Sequence, residues 1–137
     1  MLESLTKLRV RYADTDMMGF CYYANYLRWF EIGRTEMLRE NGLPYAEIEQ
    51  QGYALPVLEA HCKYHKPAYY DEQVTITSRL RERARATLKI EYEVHNASSE
   101  LLATGYTTHT FITKKGKAAR PPQVFREFIK RHFGEKS

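Results

Sequence analysis

The alternation of apolar and polar side chains predicts a strand near the N-terminus. In residues 5–12, Leu8, Val10 and Tyr12 fall on one face, and basic residues occupy the positions between them. This period of two is typical of a half-buried β-strand. The alternation stops at a loop of about residues 13–22.

A three-to-four spacing of apolar positions then predicts a long amphipathic helix over about residues 23–40. Its broad, aromatic stripe suits packing against a sheet, and Gly33 indicates a close helix–sheet contact. Asn41 and Gly42 are expected to end this helix. The residues on or beside the apolar face are Tyr26, Leu27, Phe30, Gly33, Arg34, Met37 and Leu38.

The rest of the chain alternates mainly with the period of a strand. A short helix over residues 45–51 comes first, and a helix over about residues 121–134 closes the chain. One strand, one long helix and four further strands joined by short turns predict a single α+β domain over residues 1–137 with an antiparallel sheet. The four strands are residues 53–64, which Pro56 interrupts, and residues 74–81, 87–94 and 101–113.

The composition is that of a globular protein, with 43% hydrophobic and 28% charged residues. Eleven tyrosines stand against six phenylalanines and one tryptophan, and tyrosine suits half-buried sheets, interfaces and ligand walls. No apolar run reaches the length of about 18 residues that a membrane span needs, so we expect none. Cys21 and Cys62 fit no zinc or C-x-x-C spacing, and we interpret them as reduced thiols of a cytoplasmic protein, with a disulfide as the alternative.

The net charge of +4 favours anionic partners only mildly. Arginines occupy alternate positions in residues 79–85, and a basic cluster fills residues 114–120. Such runs are usually solvated strand faces and turns, although they also suit phosphate groups, and both interpretations stay open. Because the chain lacks an RNP-type motif and its charge is modest, we expect no nucleic-acid partner.

The candidate chemistry lies between the first strand and the long helix. Asp14, Asp16 and Gly19 come just before the predicted helix start, where free N–H groups and the helix dipole can hold a developing negative charge. A nearby carboxylate can attack the carbon that carries this charge, or activate water to do so. Aspartate is also favoured in turns and helix caps for local reasons. Since no third carboxylate lies nearby, a metal site is not expected.

These segments resemble the hot-dog acyl-CoA thioesterases of the 4-hydroxybenzoyl-CoA thioesterase family, and most closely the branch encoded near the bacterial Tol–Pal genes. The resemblance implies a hot-dog fold, in which a five-stranded antiparallel sheet wraps around a long central helix. It covers most of the chain up to about residue 113. The residues that carry it are 12–19, 22–27, 30–36, 64–68 and 71–72.

The resemblance also implies an activity, the hydrolysis of acyl-CoA thioesters to free acid and coenzyme A without a cofactor. Asp16 matches the catalytic carboxylate, as nucleophile or as general base. The backbone N–H of Tyr23 matches the group that polarises the thioester carbonyl. Related bacterial chains often have histidine at the position of Tyr23, a change that leaves a backbone role intact.

Further residues are candidates for binding the substrate. Arg83, Arg85 and Lys114 are candidate anchors for the phosphates of coenzyme A. Gly19 and Asn25 are further candidates for substrate contacts, although Asn25 also suits a helix cap. The sequence leaves the preferred acyl group open.

The family pairs its subunits so that their sheets join, which implies a homodimer or homotetramer with active sites at the interface. The alternative hypothesis is a non-catalytic module that binds an acyl carrier protein or another partner in lipid synthesis. The basic surface motivates this alternative, because acyl carrier proteins are acidic.

Overall fold

The computed structural model describes residues 1–83 and 85–134. Residue 84, within the predicted arginine-rich segment, and residues 135–137, at the end of the predicted domain, lie outside the described residues. The helices are α1 (Asn25–Glu40), α2 (Tyr45–Gln50) and α3 (Gln123–Phe133). The strands are β1 (Leu2–Arg9), β2 (Tyr53–Ala54), β3 (Val57–Tyr64), β4 (Gln73–Leu80), β5 (Thr87–Asn96), β6 (Leu101–Thr113) and β7 (Ala118–Ala119).

The strands form one antiparallel sheet in the order β1-β4-β5-β6, and β6 also pairs with β2, β3 and β7. The predicted count of five strands was too low, since the described residues form seven. Pro56 divides the predicted strand of residues 53–64 into β2 and β3, and the basic turn after β6 returns as β7. The two additional strands have only two residues each, while the others have eight or more.

Helix α1 lies against one face of the sheet. The ring of Phe30 stacks on the ring of Tyr92 in β5, with centroids 4.3 Å apart. At Gly33 the helix approaches β4 so closely that a Cβ atom would lie 2.4 Å from Oγ of Ser78 and 2.9 Å from Cγ2 of Ile76. The close helix–sheet contact predicted at Gly33 is therefore confirmed.

Three apolar positions differ from the predicted pattern. Tyr12 was expected on the inner face of the first strand but is 79% exposed, because β1 ends at Arg9 and a 3₁₀ turn over Tyr12–Asp14 redirects the chain. On α1, Leu27 is 40% exposed and Trp29 is only 1% exposed. The buried face of the helix is thus rotated slightly from the predicted one, toward Trp29.

We expect the substitution Gly105→Ala to destabilise the protein by about 1–3 kcal/mol or more. A Cβ atom at this position in β6 would lie 2.3 Å from the carbonyl oxygen of His61 and 2.6 Å from Cε2 of Phe30. The carbonyl belongs to the backbone of β3, which cannot move without disturbing its pairing with β6. Urea unfolding measures the effect, with Thr108→Ala on the same strand as the control. An unchanged unfolding midpoint in Gly105→Ala would contradict this packing.

Helix α3 covers the C-terminal part of β6. Phe125 of α3 packs against Phe111 of β6, with ring centroids 4.8 Å apart, and His132 Nε2 lies 3.0 Å from the carbonyl oxygen of Asn41 after α1. The predicted final helix over about residues 121–134 is confirmed as a helix over Gln123–Phe133. Among the described residues, no helix has the length and apolar character needed to cross a membrane.

Candidate active site

The loop between the 3₁₀ turn and α1 folds back on itself and presents Asp16. The N–H of Asp16 donates to the carbonyl oxygen of Phe20 at 3.1 Å, and the N–H of Gly19 donates to the carbonyl oxygen of Asp16 at 3.0 Å. Gly19 has φ +86°, and a Cβ atom there would meet nothing within 4 Å. Glycine is therefore favoured at this position by the positive φ angle of the turn and not by close packing against a neighbouring atom.

Asp14 holds the base of this loop. Its side chain is 3% exposed and forms ion pairs with Arg11 at 3.1 Å and Arg28 at 2.7 Å. Burial alone would raise the pKa of Asp14, but hydrogen bonds from Arg11 and the charges of Arg11 and Arg28 outweigh it, so the pKa is lowered. Asp14 is consequently a structural carboxylate that attaches the loop to α1.

The backbone of Asp14 also joins the loop to the start of α1. Its carbonyl oxygen accepts a hydrogen bond from the N–H of Tyr22 at 2.8 Å and another from Nδ2 of Asn25 at 2.9 Å. The side chain of Asn25 therefore sets the position of the Asp14–Asp16 segment relative to the helix. Its predicted contact with substrate stays a prediction.

For the thioester hydrolysis that the sequence resemblance implies, we expect Asn25→Ala to lower kcat/KM by about fivefold, because a lost hydrogen bond of about 1 kcal/mol loosens the loop that carries Asp16. Asn41→Ala is a matched control. Asn41 follows the other end of α1, and its Nδ2 donates to the carbonyl oxygen of Met37 at 2.7 Å. Both variants should lose similar stability in urea, but only Asn25→Ala should lose activity. Equal activity in the two variants would contradict the positioning role.

The turn before α1 leaves two backbone donors free. The helix begins at Asn25, two residues later than predicted, because residues 23 and 24 form a turn. In the described part of the chain, the N–H groups of Tyr23 and Ala24 have no hydrogen-bond acceptor. These N–H groups and the positive end of the helix dipole can stabilise a negative oxygen.

A pocket of about 310 Å³ lies beside this turn. Asp16 and Tyr23 both line it, so the structure brings together the two residues predicted to carry the chemistry. His65 and Lys66 also line the pocket. The remaining lining is mostly aromatic or apolar and consists of Met18, Phe20, Cys21, Tyr26, Tyr64 and Pro67.

Asp16 keeps one carboxylate oxygen available to this pocket. Its Oδ1 accepts a hydrogen bond from the N–H of Met18 at 2.8 Å. Within residues 1–83 and 85–134, its other oxygen has no hydrogen-bond partner. The residue is half-buried, so the carboxylate is fixed by the loop yet accessible to a bound molecule.

The other nucleophile in the pocket is held neutral. Burial raises the pKa of Cys21 to about 12, and the charge of Asp14 adds to this effect. A thiol attacks as its thiolate, so Cys21 is a poor nucleophile near neutral pH. Both Cys21 and Cys62 are free thiols.

The predicted phosphate anchors lie away from this pocket in the same chain. Arg83 and Arg85 line a second pocket of about 250 Å³ against α3, and Arg83 donates a hydrogen bond to the carbonyl oxygen of Gly134. Lys114 follows the end of β6, whereas Tyr64 pairs with Ala103 near its beginning. A strand rises about 3.3 Å per residue, which separates the two ends by roughly 30 Å.

Sequence reasoning missed several residues of the pocket wall, above all Tyr26 and Tyr64. Both lie in segments that carry the family resemblance, residues 22–27 and 64–68, and this was the signal that could have identified them. Among the described residues, no group of three or more His, Cys, Asp or Glu side chains is placed to hold a metal ion.

The antiparallel sheet packed on a long helix, with the Asp16 loop before the start of that helix, is the arrangement of the hot-dog thioesterase fold. Residues 10–129 match the model of the Thioesterase-like superfamily, and the chain belongs to this family.

Solved and curated relatives agree with this assignment. A DHNA-CoA thioesterase from Staphylococcus aureus has the same fold, with a TM-score of 0.88 and 30% identity over 100% of this chain and 98% of that one. YneP of Bacillus subtilis (strain 168) is 32% identical over 84% of this chain and 83% of its own length. The acyl-CoA thioester hydrolase YbgC of Escherichia coli O157:H7 is 30% identical over 69% of this chain and 71% of its own.

Proposed function

We propose that this protein hydrolyses acyl-CoA thioesters to free acids and coenzyme A in the pocket between the Asp16 loop and the start of α1. The observation that carries the proposal is that Asp16 and Tyr23 line one pocket, beside a turn whose Tyr23 and Ala24 N–H groups have no acceptor among the described residues. Thioester hydrolysis needs both groups, since a nucleophile must be supplied and an oxyanion must be stabilised.

The start of α1 provides the oxyanion site. The thioester carbonyl oxygen accepts hydrogen bonds from the N–H groups of Tyr23 and Ala24, and it becomes negative as the tetrahedral centre forms. Both donors belong to the backbone of the turn before α1, and donors that are fixed before the reaction cost little reorganisation during it. The loss of one such donor typically lowers the rate by about 10²–10³.

Asp16 acts on the carbonyl carbon in one of two ways. As a nucleophile it forms a mixed anhydride and expels the coenzyme A thiolate, which takes up a proton, and water then hydrolyses the anhydride. As a general base it takes a proton from water, whose oxygen attacks the carbonyl carbon, and the tetrahedral centre then expels the coenzyme A thiolate, which takes up a proton. Rapid-quench mass spectrometry separates the routes, because only nucleophilic attack adds the mass of the acyl group to the peptide that contains Asp16.

The enzyme works as a homodimer or homotetramer in this proposal. Strand β3 is mostly exposed and pairs only with β6 among the described strands, so it offers an edge for a second sheet. Arg83, Arg85 and Lys114 lie away from the pocket of their own chain. In the assembly, contacts to the coenzyme A phosphates can instead come from the second subunit. Light scattering coupled to size-exclusion chromatography tests the assembly, and a monomer at micromolar concentration would contradict it.

The free thiols of Cys21 and Cys62 fit the reducing cytoplasm, in which we place the enzyme. The test of the activity is release of free thiol from a panel of acyl-CoAs that covers short, long and aromatic acyl groups. We expect turnover of at least one class. Binding to an acyl carrier protein without turnover, unaffected by Asp16→Ala, would instead support the non-catalytic module.

A further inference from the structure

The hydroxyl group of Tyr64 holds the turn that begins α1. It donates a hydrogen bond of 2.8 Å to the carbonyl oxygen of Tyr23. Tyr64 is the last residue of β3, where it pairs with Ala103 of β6. This hydrogen bond therefore connects the sheet directly to the turn that carries the free N–H groups.

The geometry of the peptide bond gives this hydrogen bond a consequence for the neighbouring donor. The carbonyl of Tyr23 and the N–H of Ala24 belong to one planar trans peptide unit, so they point in opposite directions. Any hydrogen bond that fixes the carbonyl also fixes the direction of the N–H. The N–H of Tyr26 donates to the same oxygen at 3.3 Å, which is longer than the bond from Tyr64.

The ring of Tyr64 is held by aromatic packing that does not depend on its hydroxyl. It lies edge-to-face with the ring of Tyr26, with centroids 5.0 Å apart, and with the ring of Tyr23, with centroids 6.2 Å apart. Tyr26 is 2% exposed and anchors this group in the core. Burial, followed by the interaction with Cys62, raises the pKa of Tyr64, so its hydroxyl remains protonated and able to donate.

We propose that Tyr64 is a positioning residue, whose hydroxyl orients the Tyr23–Ala24 peptide so that the Ala24 N–H points at the thioester carbonyl oxygen. This inference rests on the proposed function. Tyr64 also lines the pocket, where its ring forms part of the wall. In this proposal its hydroxyl affects the reaction only through the Tyr23–Ala24 peptide.

The substitution Tyr64→Phe separates these two roles, because it removes the hydroxyl and keeps the ring. We expect kcat to fall about tenfold while KM changes less than twofold, since the oxyanion contact strengthens mainly in the transition state. Tyr70→Phe is the matched control. Tyr70 is 57% exposed and packs against Tyr12, outside the pocket, and its substitution should leave both constants unchanged.

A second measurement tests the hold on the peptide without substrate. The ¹⁵N order parameter of the Ala24 amide should be near that of rigid backbone, about 0.85, in the wild-type protein and fall toward about 0.6 in Tyr64→Phe. An unchanged order parameter would overturn the inference. A lower order parameter with unchanged kcat would also overturn it, because the orientation would then not matter for the reaction.

The outcomes distinguish this inference from the proposed function. If the wild-type protein hydrolyses no acyl-CoA, the proposed function fails and the positioning role of Tyr64 fails with it, whatever the order parameter shows. If the wild-type protein is active and Tyr64→Phe retains full kcat, only the role of Tyr64 is rejected. Equal urea unfolding of the two proteins excludes a general loss of stability as the cause of a lower kcat.

Discussion

Asp16→Asn is expected to lower kcat for acyl-CoA hydrolysis by about 10² or more, the effect typical of losing a general base or a nucleophile. The change retains the size of the side chain and an oxygen that can accept the hydrogen bond from Met18. The loop should therefore keep its shape, while the negative charge and the attacking oxygen are lost. Thiol release under saturating acyl-CoA measures the effect.

Asp71→Asn is the matched control for this substitution. Asp71 lies in a turn, outside the lining of the pocket, and has φ +69°, a conformation that asparagine also tolerates. The control should keep wild-type activity. Activity that survives in Asp16→Asn would move the chemistry to another residue and contradict the mechanism.

Acidification from about pH 7.5 to pH 4 is expected to lower the free energy of unfolding by about 3 kcal/mol through His109 alone. His109 is fully buried. Burial, followed by the charge of Arg34, lowers its pKa from 6.5 to about 4. Glu31 and the backbone carbonyls of Leu55 and Pro56 act in the opposite direction but do not compensate.

The contacts of His109 explain why its neutral form is favoured. Nη1 of Arg34 can only donate, and it lies 3.5 Å from Nδ1 of His109. Nε2 lies 2.7 Å from Oγ1 of Thr107, which in turn lies 2.8 Å from the hydroxyl of Tyr92. A proton on Nδ1 would face the guanidinium of Arg34 in a buried site.

The sign of the effect follows from the two states. Well above pH 6.5 His109 is neutral in both folded and unfolded chains, so it does not make stability depend on pH. Below pH 6.5 the unfolded chain takes up a proton that the folded chain takes up only near pH 4, and the free energy of unfolding falls over this interval.

Urea unfolding at a series of pH values between 7.5 and 4 tests this prediction. His109→Gln removes the titrating group and should flatten the pH dependence, whatever it does to stability at pH 7.5. His65→Gln, which changes an exposed histidine, should retain the wild-type slope. Equal slopes in wild type and His109→Gln would show that other groups cause the acid sensitivity.

The longer strands and helices could be predicted because burial on one face produces a regular spacing of apolar residues in the sequence. Residues 101–113, predicted as a strand from their alternation, form β6. The helix predicted to end at residue 40 from its apolar spacing is α1. Tyr12 was misplaced because no local residue signalled that β1 ends at Arg9. The two-residue strands β2 and β7 are too short to show any period.

The candidate site could be predicted only where its residues are close in the sequence. Asp16 and Tyr23 are joined by one loop, and the structure places both on one pocket. Tyr64 lines the same pocket from the end of β3. Its proximity to the Asp16 loop depends on the order of strands in the sheet, which the sequence does not show. Arg83 and Lys114 were assigned from charge alone, and charge does not indicate the end of the sheet at which a residue lies.

A crystal structure of the Asp16→Asn protein with an unreacted acyl-CoA tests the location of the active site most directly. We expect the thioester carbonyl oxygen to lie about 2.7–3.1 Å from the backbone nitrogen of Tyr23 or Ala24, with the carbonyl carbon next to the side chain at position 16. An acyl group bound elsewhere, such as the pocket of Arg83 and Arg85 against α3, would contradict the proposed active site.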